Sequence, residues 1–288
     1  MRDGVSMRSA RSAKHGRSTA VPRISCATGF SALHAGDMPM NTVTSRLKRF
    51  ILSHEPFLPM HAGLWIRLAY FKHYFFRYAD AKRMRNILDA GCGRGRYAAL
   101  LARRLPKAHV TGYDLLSHEE WTGYRLPNLH FEVKDLHMMT DRAAFDAIVS
   151  VDSLEHIPDN KKILASFHQA LRPGGVLYLA IPNESEEWHF FPKKWFAHFR
   201  EWEEHEHIGE QYTLTDLSRI ITSLGFRLEY ARHTFTLWGA LAWEIEFLLH
   251  HNMRRLYIVA MPLIKLLGIF DVYIPFGKGN NLVIAKKP

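Results

Sequence analysis

The sequence predicts an α/β fold, with a mostly parallel sheet and helices on both of its faces. Two observations lead to this prediction. From Asn86 onward, short apolar runs rich in β-branched residues alternate with longer helix-forming segments, which is typical of a parallel sheet with crossover helices. The chain has 288 residues, of which 47% are hydrophobic, and this is sufficient for one large core.

The first part of the chain differs in composition from the rest. Residues 1–40 are rich in Ser and Arg and have no apolar periodicity, so we expect a disordered basic leader. The composition fits an organelle transit peptide, but translation from a start upstream of Met38 or Met40 explains it equally well. Residues 1–50 contain nine basic and two acidic residues, and therefore most of the net charge of +10. The predicted sheet is then nearly neutral, so no nucleic-acid partner is implied.

Residues 41–85 are predicted to form an N-terminal helical segment. Between Phe57 and Arg85, aromatic residues alternate with Arg67, Lys72 and Arg77. This pattern predicts an amphipathic helix packed across the front of the following domain, with its basic residues on the solvent side. Contact with a membrane is the alternative function of this segment.

Residues 86–288 form the predicted main domain, and seven candidate strands can be placed in it. The best delimited helix precedes the sixth strand, because Thr213 and Asp216 resemble a capping box and Gly225 provides a stop. The candidate strands are Ile87–Ala90, His109–Asp114, Leu129–Val133, Phe145–Val151, Val176–Ile181, Phe226–His233 and Asn281–Lys286.

The turn after the first strand is the most informative stretch of the sequence. It reads I-L-D-A-G-C-G-R-G-R-Y-A from Ile87 to Ala98 and has glycines at three alternate positions. Glycines allow a positive φ and leave room for a ligand against the main chain, while the next helix offers free N–H groups. The Asp89 carboxylate would repel a pyrophosphate but attract an ammonium or a sulfonium. The turn is thus predicted to bind a ligand that carries a positive charge.

Five blocks of sequence, in order and at the expected spacing, resemble the class I S-adenosylmethionine-dependent methyltransferases of the small-molecule type. The resemblance covers Asn86–Phe226 and the closing strand Asn281–Lys286. The blocks are D-A-G-C-G-R-G (Asp89–Gly95), V-T-G-Y-D-L-L (Val110–Leu116), V-K-D-L (Val133–Leu136), F-D-A-I-V-S-V-D-S-L-E-H-I (Phe145–Ile157) and L-R-P-G-G-V-L-Y-L-A-I-P-N (Leu171–Asn183).

This resemblance implies a Rossmann-like sheet of seven strands with an antiparallel last strand, and S-adenosyl-L-methionine as cofactor. Asp114 would accept from the ribose hydroxyls, Asp135 and the Leu136 N–H would bind adenine, and the Val151 carbonyl would bind the amine. Asp89 and the glycine backbone would hold the methionine part. The implied cofactor-binding residues are Asp89, Gly91, Cys92, Gly93, Gly95, Asp114, Leu115, Asp135, Leu136 and Val151.

Two alternatives are weighed against this interpretation. A nicotinamide-dependent oxidoreductase requires G-x-G-x-x-G, whereas the spacing here is G-x-G-x-G and Arg96 occupies the sixth position. A non-catalytic protein that keeps the fold as a binding or scaffold module would have no reason to keep Asp89, Asp114 and the glycines together. The low cysteine content, Cys26 and Cys92, favours a reducing, cytoplasmic location.

Two histidines are the candidate catalytic bases. His156, beside Glu155, resembles the L-E-H motif of quinone-type O-methyltransferases, and His207 lies in the segment after the fifth strand. Either could instead cap a helix or pack in the core. Glu155 and His156 alone are too few ligands for a metal, so no metal is predicted. Asp152, Ser153 and Leu154 do not form the Asn/Asp-Pro-Pro-aromatic motif, which argues against methylation of nucleobase amines.

Two inserts are expected to determine the acceptor. Residues 184–212 carry many large aromatic residues, which predicts a lid over a small apolar acceptor, with a small core beneath the lid as the alternative. Residues 234–280 predict two apolar helices. Lys265 and Asp271 interrupt the second one, and the last strand must return to the same sheet, so a membrane crossing is not expected. A contact with a membrane surface, a wall of the substrate pocket and a dimer face stay open as equal alternatives for this pair. The prediction is O-methylation of a small apolar or lipid-linked acceptor, with the oligomeric state left open.

Overall fold

The computed structural model describes residues 61–184 and 189–288. Its centre is a seven-stranded sheet in the order β3-β2-β1-β4-β5-β7-β6. The strands are β1 (Asn86–Ala90), β2 (His109–Asp114), β3 (Leu129–Val133), β4 (Phe145–Val151), β5 (Leu171–Ile181), β6 (Arg227–Thr234) and β7 (Asn280–Lys286). The predicted leader, residues 1–40, lies outside the described residues, as does Cys26.

The sheet confirms the predicted fold class. The pairs β1–β2, β1–β4, β2–β3 and β4–β5 are parallel, and β7 lies antiparallel between β5 and β6. Six strands begin and end within one residue of the prediction, and β5 departs from it. It begins at Leu171 rather than Val176, because Leu171 pairs with Phe145 before a bulge and Gly174 N–H donates to Lys287 O.

Helices cover both faces of the sheet. The helices are α1 (Ala62–Tyr78), α2 (Arg96–Arg104), α3 (Asn160–Ala170), α4 (Ala197–Glu206), α5 (Leu214–Ser223), α6 (Leu237–Asn252) and α7 (Arg254–Tyr273). One buried cluster joins α1, α2 and α7 to one face, and a second joins α3 and α5 to the other. The predicted limits of α5 are confirmed, since Thr213 Oγ1 accepts from Asp216 N–H and Gly225 has a φ of 93°.

Helix α1 packs into the protein rather than lying on it. Its residues Ile66, Phe71 and Phe75 are fully buried. The prediction that its basic residues face solvent is wrong for Arg67, which forms an ion pair with Asp152 and lies over the Phe235 ring at 4.8 Å. The pairing aligns α1 with the end of β4, where Asp152 follows Val151.

Helices α6 and α7 form an antiparallel pair between β6 and β7. Since β6 ends and β7 begins at the edge where the parallel strands end, both ends of the insert lie at that edge. The acidic residues of the pair face inward. Glu246 accepts from Gly63 N–H and Tyr257 Oη, and Glu244 accepts from the N–H groups of Phe190 and Phe191. The insert is therefore anchored to α1 and to the segment after β5.

Candidate cofactor-binding and active site

The glycine turn between β1 and α2 has the backbone geometry expected from its sequence. Gly91, Gly93 and Gly95 have φ values of 73°, 49° and 77°. A side chain at Gly91 would collide with Ser153, and one at Gly95 would collide with Phe131. At Gly93, in contrast, a Cβ atom would meet nothing within 4 Å. Gly91 and Gly95 are thus required by packing, whereas Gly93 borders open space in which a ligand can approach the main chain.

Asp89 lies below this turn and is almost completely buried, with 1% of its surface exposed. Its Oδ2 accepts from the N–H of Ala98 in the first turn of α2, at 2.9 Å. Burial raises the pKa of Asp89 to about 7, the Ala98 N–H opposes this rise, and the nearby Asp114 adds to it. A cationic ligand at the turn would favour the ionised form.

Asp114 is at the end of β2 and is connected to the turn. Its Oδ2 accepts from Gly93 N–H at 2.7 Å, its Oδ1 accepts from Leu116 N–H at 3.1 Å, and His118 Nε2 lies 3.6 Å from Oδ1. The side chain keeps 19% of its surface exposed. Because two carboxylate oxygens offer about four acceptor positions, capacity remains for a hydroxyl pair.

The candidate adenine contacts follow β3, one strand further along the sheet. Asp135 accepts from the N–H of His137 at 2.8 Å and caps a short 3₁₀ helix (Leu136–Met138), and Leu136 is buried. Leu115, after β2, is 61% exposed. The structure therefore places these residues at the same sheet edge as Asp89 and Asp114, and their cofactor contacts stay a prediction.

Trp121 is a neighbour of the site that the sequence analysis did not identify. Its Nε1 donates to the Gly93 carbonyl at 2.7 Å, and its ring stacks on Phe131 with 4.8 Å between the ring centroids. It lies in a 3₁₀ helix (Glu119–Gly123) between β2 and β3. The signal in the sequence that could have identified it is the position of this large aromatic residue soon after Asp114, at the end of β2.

Cys92, within the turn, is buried and points toward Gly112. Burial raises the pKa of its thiol, and the nearby Asp89 and Asp114 raise it further. The thiol is therefore neutral and packs as a small apolar group.

Two features of the turn region fit the cofactor that the sequence predicts. The open side of Gly93 gives a ligand access to the main chain between the Asp89 and Asp114 carboxylates. The hydroxyl of Tyr97, at the start of α2, is buried and has no hydrogen-bond partner among the described residues. This buried hydroxyl is a candidate contact for a polar ligand group, and together with the Asp89 and Asp114 carboxylates it suits a cationic nucleoside.

The end of β4 forms the adjoining part of the site. Val151 lines a cleft of about 10 Å³, enough for about one water molecule. Asp152 follows with a φ of 48° and is paired with Arg67, and burial raises its pKa while Arg67 and His156 oppose the rise. An acceptor can enter only if side chains move. The cleft is lined by Arg67, Tyr70, Val151, Tyr178, Ala180, Thr234 and Phe235.

The two candidate bases lie together just beyond β4. His156 ends a 3₁₀ helix (Leu154–His156), and its ring centroid is 5.0 Å from that of His207. His156 Nδ1 lies 2.9 Å from the Glu206 carbonyl oxygen, which can only accept. In the neutral imidazole, Nδ1 therefore carries the hydrogen and the lone pair is on Nε2. Burial lowers the pKa of His207 to about 4, and His156 adds to this, so His207 is neutral at physiological pH.

Glu155 completes a cluster that the sequence analysis did not foresee. Its Oε1 is 3.9 Å from His156 Nε2, and ligand atoms of Glu155, His156 and His207 all lie within 4.8 Å of one another. The sequence analysis considered only the two adjacent residues and predicted no metal. The third residue, His207, lies in the segment before α5, which the fold places beside the end of β4. This set can bind a cation or move a proton.

The segment after β5 is partly a small core and partly exposed. Phe196 is buried against Trp243 and Phe247 of α6, and Phe199 packs on the same two rings. Phe190 and Trp195 are 41% and 51% exposed. Some of the predicted lid aromatics thus attach the segment to α6, as the alternative in the sequence analysis held. Trp188 lies outside the described residues.

Comparison with known proteins agrees with this geometry. The sequence matches the family described as "Methyltransferase domain" over residues 66–231, more than half of the chain. It is similar to trans-aconitate 2-methyltransferase of Deinococcus radiodurans, with 38% identity over 98 residues, which are 33% of this chain and 37% of that protein. It is also similar to ubiquinone biosynthesis O-methyltransferase of Idiomarina loihiensis, with 28% identity over 140 residues, which are 45% of this chain and 54% of that protein. The chain thus spans at most about half the length of these two relatives.

Among solved structures, phosphoethanolamine N-methyltransferase 2 of Haemonchus contortus in complex with S-adenosyl-L-methionine has the same fold. The TM-score is 0.54 at 18% identity, over 83% of this chain and 60% of that one. The family match favours a methyltransferase over a nicotinamide-dependent oxidoreductase. The chain therefore belongs to the methyltransferase-domain family, and it shares its fold with a methyltransferase that was solved with S-adenosyl-L-methionine bound.

Proposed function

We propose that the protein transfers the methyl group of S-adenosyl-L-methionine to an oxygen atom of a small, apolar or lipid-linked acceptor, with His156 as general base. The observation that carries the proposal is the contact between His156 Nδ1 and the Glu206 carbonyl. It leaves the Nε2 lone pair just beyond the end of β4, the strand that lies beside β1 in the sheet. A hydroxyl acceptor needs such a base, whereas a carboxylate is already ionised and does not.

When bound, the cofactor supplies an electrophilic methyl carbon whose bond to sulfur breaks with the electron pair left on sulfur. The chain's own residues control the proton and the alignment. His156 Nε2 takes the hydroxyl proton as the oxygen attacks, and the Glu155 carboxylate, 3.9 Å from Nε2, stabilises the resulting imidazolium. Because His207 is neutral, it does not oppose this charge.

The surroundings of the cleft support an apolar acceptor. Tyr70, Tyr178 and Phe235 supply aromatic surface. Arg67, which also lines the cleft, is already paired with Asp152 and stacked on Phe235, so it is poorly placed to bind a polycarboxylate. Of the two relatives, ubiquinone biosynthesis O-methyltransferase carries oxygen methylation in its name, and the aromatic lining of the cleft favours an apolar acceptor over a polycarboxylate.

A labelled-methyl transfer assay with phenolic and carboxylic acceptors tests this function. We expect transfer to phenols, and a drop in kcat of about 100-fold for His156→Gln with unchanged affinity for the cofactor. Activity of the variant should recover at alkaline pH, where the phenol ionises without a base. His205→Gln is the matched control, since His205 Nδ1 also contacts a carbonyl, that of Glu201, but the residue is exposed.

Three results would count against the proposal. Turnover of His156→Gln at the wild-type rate would remove this residue as the base. Transfer to carboxylic acids alone would reject the acceptor class. Binding of the cofactor without transfer to any acceptor in lipid and quinone extracts would favour the alternative of a non-catalytic binding module.

A further inference from the structure

The outer face of α7 carries a continuous apolar stripe. Its core consists of six residues spaced at three or four positions, so that all of them lie on one side of the helix. Val259, at 75% exposed, and Tyr273, at 64% exposed, are its most accessible members, and Ile274 and Phe276 extend it beyond the helix. The six residues of the stripe are Leu256, Val259, Leu263, Leu266, Phe270 and Tyr273.

The opposite face of α7 is packed against the protein. Tyr257, Ile264 and Val272 are buried there, and Asp271 is fully buried among Tyr70 and Thr236. Among the described residues, α7 is the one helix whose length and composition would permit a membrane crossing, with a mean hydropathy of 1.8 over Leu256–Tyr273. Since one face is fixed to α1 and α6 and β7 returns to the sheet, the helix is suited to lie along a surface.

Basic residues precede and follow the stripe along the chain. The helix begins with Arg254 and Arg255, and the exposed Lys278 follows its end. Asp271, the acidic residue of α7, is turned inward. An apolar strip with basic ends matches the interface of an anionic bilayer, where acyl chains lie between phosphate groups. Two copies paired through this face would bring basic ends together in either orientation, which disfavours a dimer.

The stripe ends next to the proposed active site. Leu237 N–H donates to the Phe276 carbonyl, and Phe276 N–H donates to Thr236 Oγ1. Phe235, one residue earlier, lines the cleft beside Val151. A surface that contacts this end of the stripe therefore lies close to Phe235 and the cleft.

We propose that the stripe docks the protein on an anionic lipid surface, so that an acceptor held in the bilayer reaches the cleft. The proposal rests on the proposed function for the identity of the delivered molecule. Docking itself depends only on the exposed face of α7, so vesicle binding and methyl transfer are measured in separate experiments.

Co-flotation of the full chain with vesicles tests the proposal. We expect binding to vesicles of phosphatidylglycerol and phosphatidylcholine, at least tenfold weaker binding to phosphatidylcholine alone, and weakening by salt. Val259→Gln with Leu263→Gln should reduce binding to the anionic vesicles at least tenfold without changing the net charge. The matched control is Val133→Gln with Leu228→Gln, on the two edge strands, which removes the same two residue types from exposed positions and should keep binding within about twofold of wild type.

Cofactor affinity and the thermal midpoint of each variant show that it is folded. Failure of the wild-type chain to float, or equal binding by the α7 variant and the wild type, would overturn the proposal. So would a wild-type dimer that the α7 substitutions convert to a monomer, because a second copy would then occupy the stripe. His156-dependent methylation of a water-soluble phenol in the absence of vesicle binding would leave the proposed function standing and reject the docking alone.

Discussion

The backbone N–H of Gly93 donates to the carboxylate of Asp114 across 2.7 Å, and this bond joins the glycine turn after β1 to the end of β2. The two parts of the predicted cofactor site are therefore one unit, in which the turn cannot move without Asp114. The space beside Gly93, in which a Cβ atom would meet nothing within 4 Å, borders this unit. A ligand that contacts Gly93 thus also lies beside a fixed carboxylate.

Gly93→Ala is expected to weaken cofactor binding at least tenfold while the protein stays folded. The new methyl group enters the open space where the ligand approaches, and the φ of 49° costs about 1 kcal/mol. Gly174→Ala is the matched control, because Gly174 has a φ of 79° and equally open surroundings but lies at the opposite edge of the sheet. Calorimetric titration with S-adenosyl-L-methionine measures the affinity. Equal affinities of the two variants would mean that Gly93 does not border the cofactor.

Asp89→Asn is expected to remove a pH dependence of stability. Because burial raises the folded pKa of Asp89 to about 7 from a reference of 3.8, the folded state holds this proton more tightly than the unfolded state. The stabilisation is present below the unfolded pKa and is lost as pH rises through the folded one. Between pH 4 and 7 the wild type should therefore lose up to about 1.4 kcal/mol per pH unit relative to the variant.

Denaturant unfolding of the wild type and of Asp89→Asn between pH 4 and 7 measures this difference in the free energy of unfolding. The other titrating groups contribute equally in both proteins and cancel. The variant should also bind the cofactor more weakly at pH 8, where its amide replaces an ionised carboxylate. Parallel stability curves would show that Asp89 ionises normally in the folded protein.

The sheet could be predicted from the sequence for a physical reason. Parallel strands are buried on both faces, so they appear as continuous apolar runs, and Phe145–Val151 could be delimited to the residue. The glycine turn and the acidic residues at the strand ends are also local features, since their roles follow from the chain within a few residues of each strand.

The contacts that complete the site could not be predicted, because they join distant segments. Arg67 was assigned to solvent from the pattern of its own helix, yet its partner Asp152 lies 85 positions further on. His207 meets Glu155 and His156 only after the segment behind β5 folds back. Periodicity describes one element at a time, so a charged residue whose partner lies on another element is assigned to the surface.

The acidic residues of the insert are a second case in which partners on distant segments could not be predicted from the sequence. In the sequence, Glu244 and Asp271 are charges that interrupt apolar helices and argue against a membrane crossing. In the structure, both are buried and accept hydrogen bonds, Glu244 from the segment after β5 and Asp271 from Tyr70 and Thr236. They argue against a crossing for a stronger reason, because they fix the insert to the body of the protein.

Asp271→Ala is therefore expected to destabilise the protein by about 3 kcal/mol, since it leaves the buried N–H and hydroxyl of Thr236 without their acceptor, while Tyr70 Oη keeps the backbone carbonyl of residue 271. The lost contacts are 2.7 Å to Tyr70 Oη and 2.6 Å to Thr236 Oγ1. Asp80→Ala, at a side chain that is 62% exposed, is the control and should change the free energy of unfolding by less than about 0.5 kcal/mol. Denaturant unfolding measures both. A cost of Asp271→Ala no larger than that of the control would mean that this side chain does not hold α7 against α1. Helix α7 would then be free to leave the protein and cross a bilayer. The proposal that the stripe lies flat on a lipid surface would lose its basis as well.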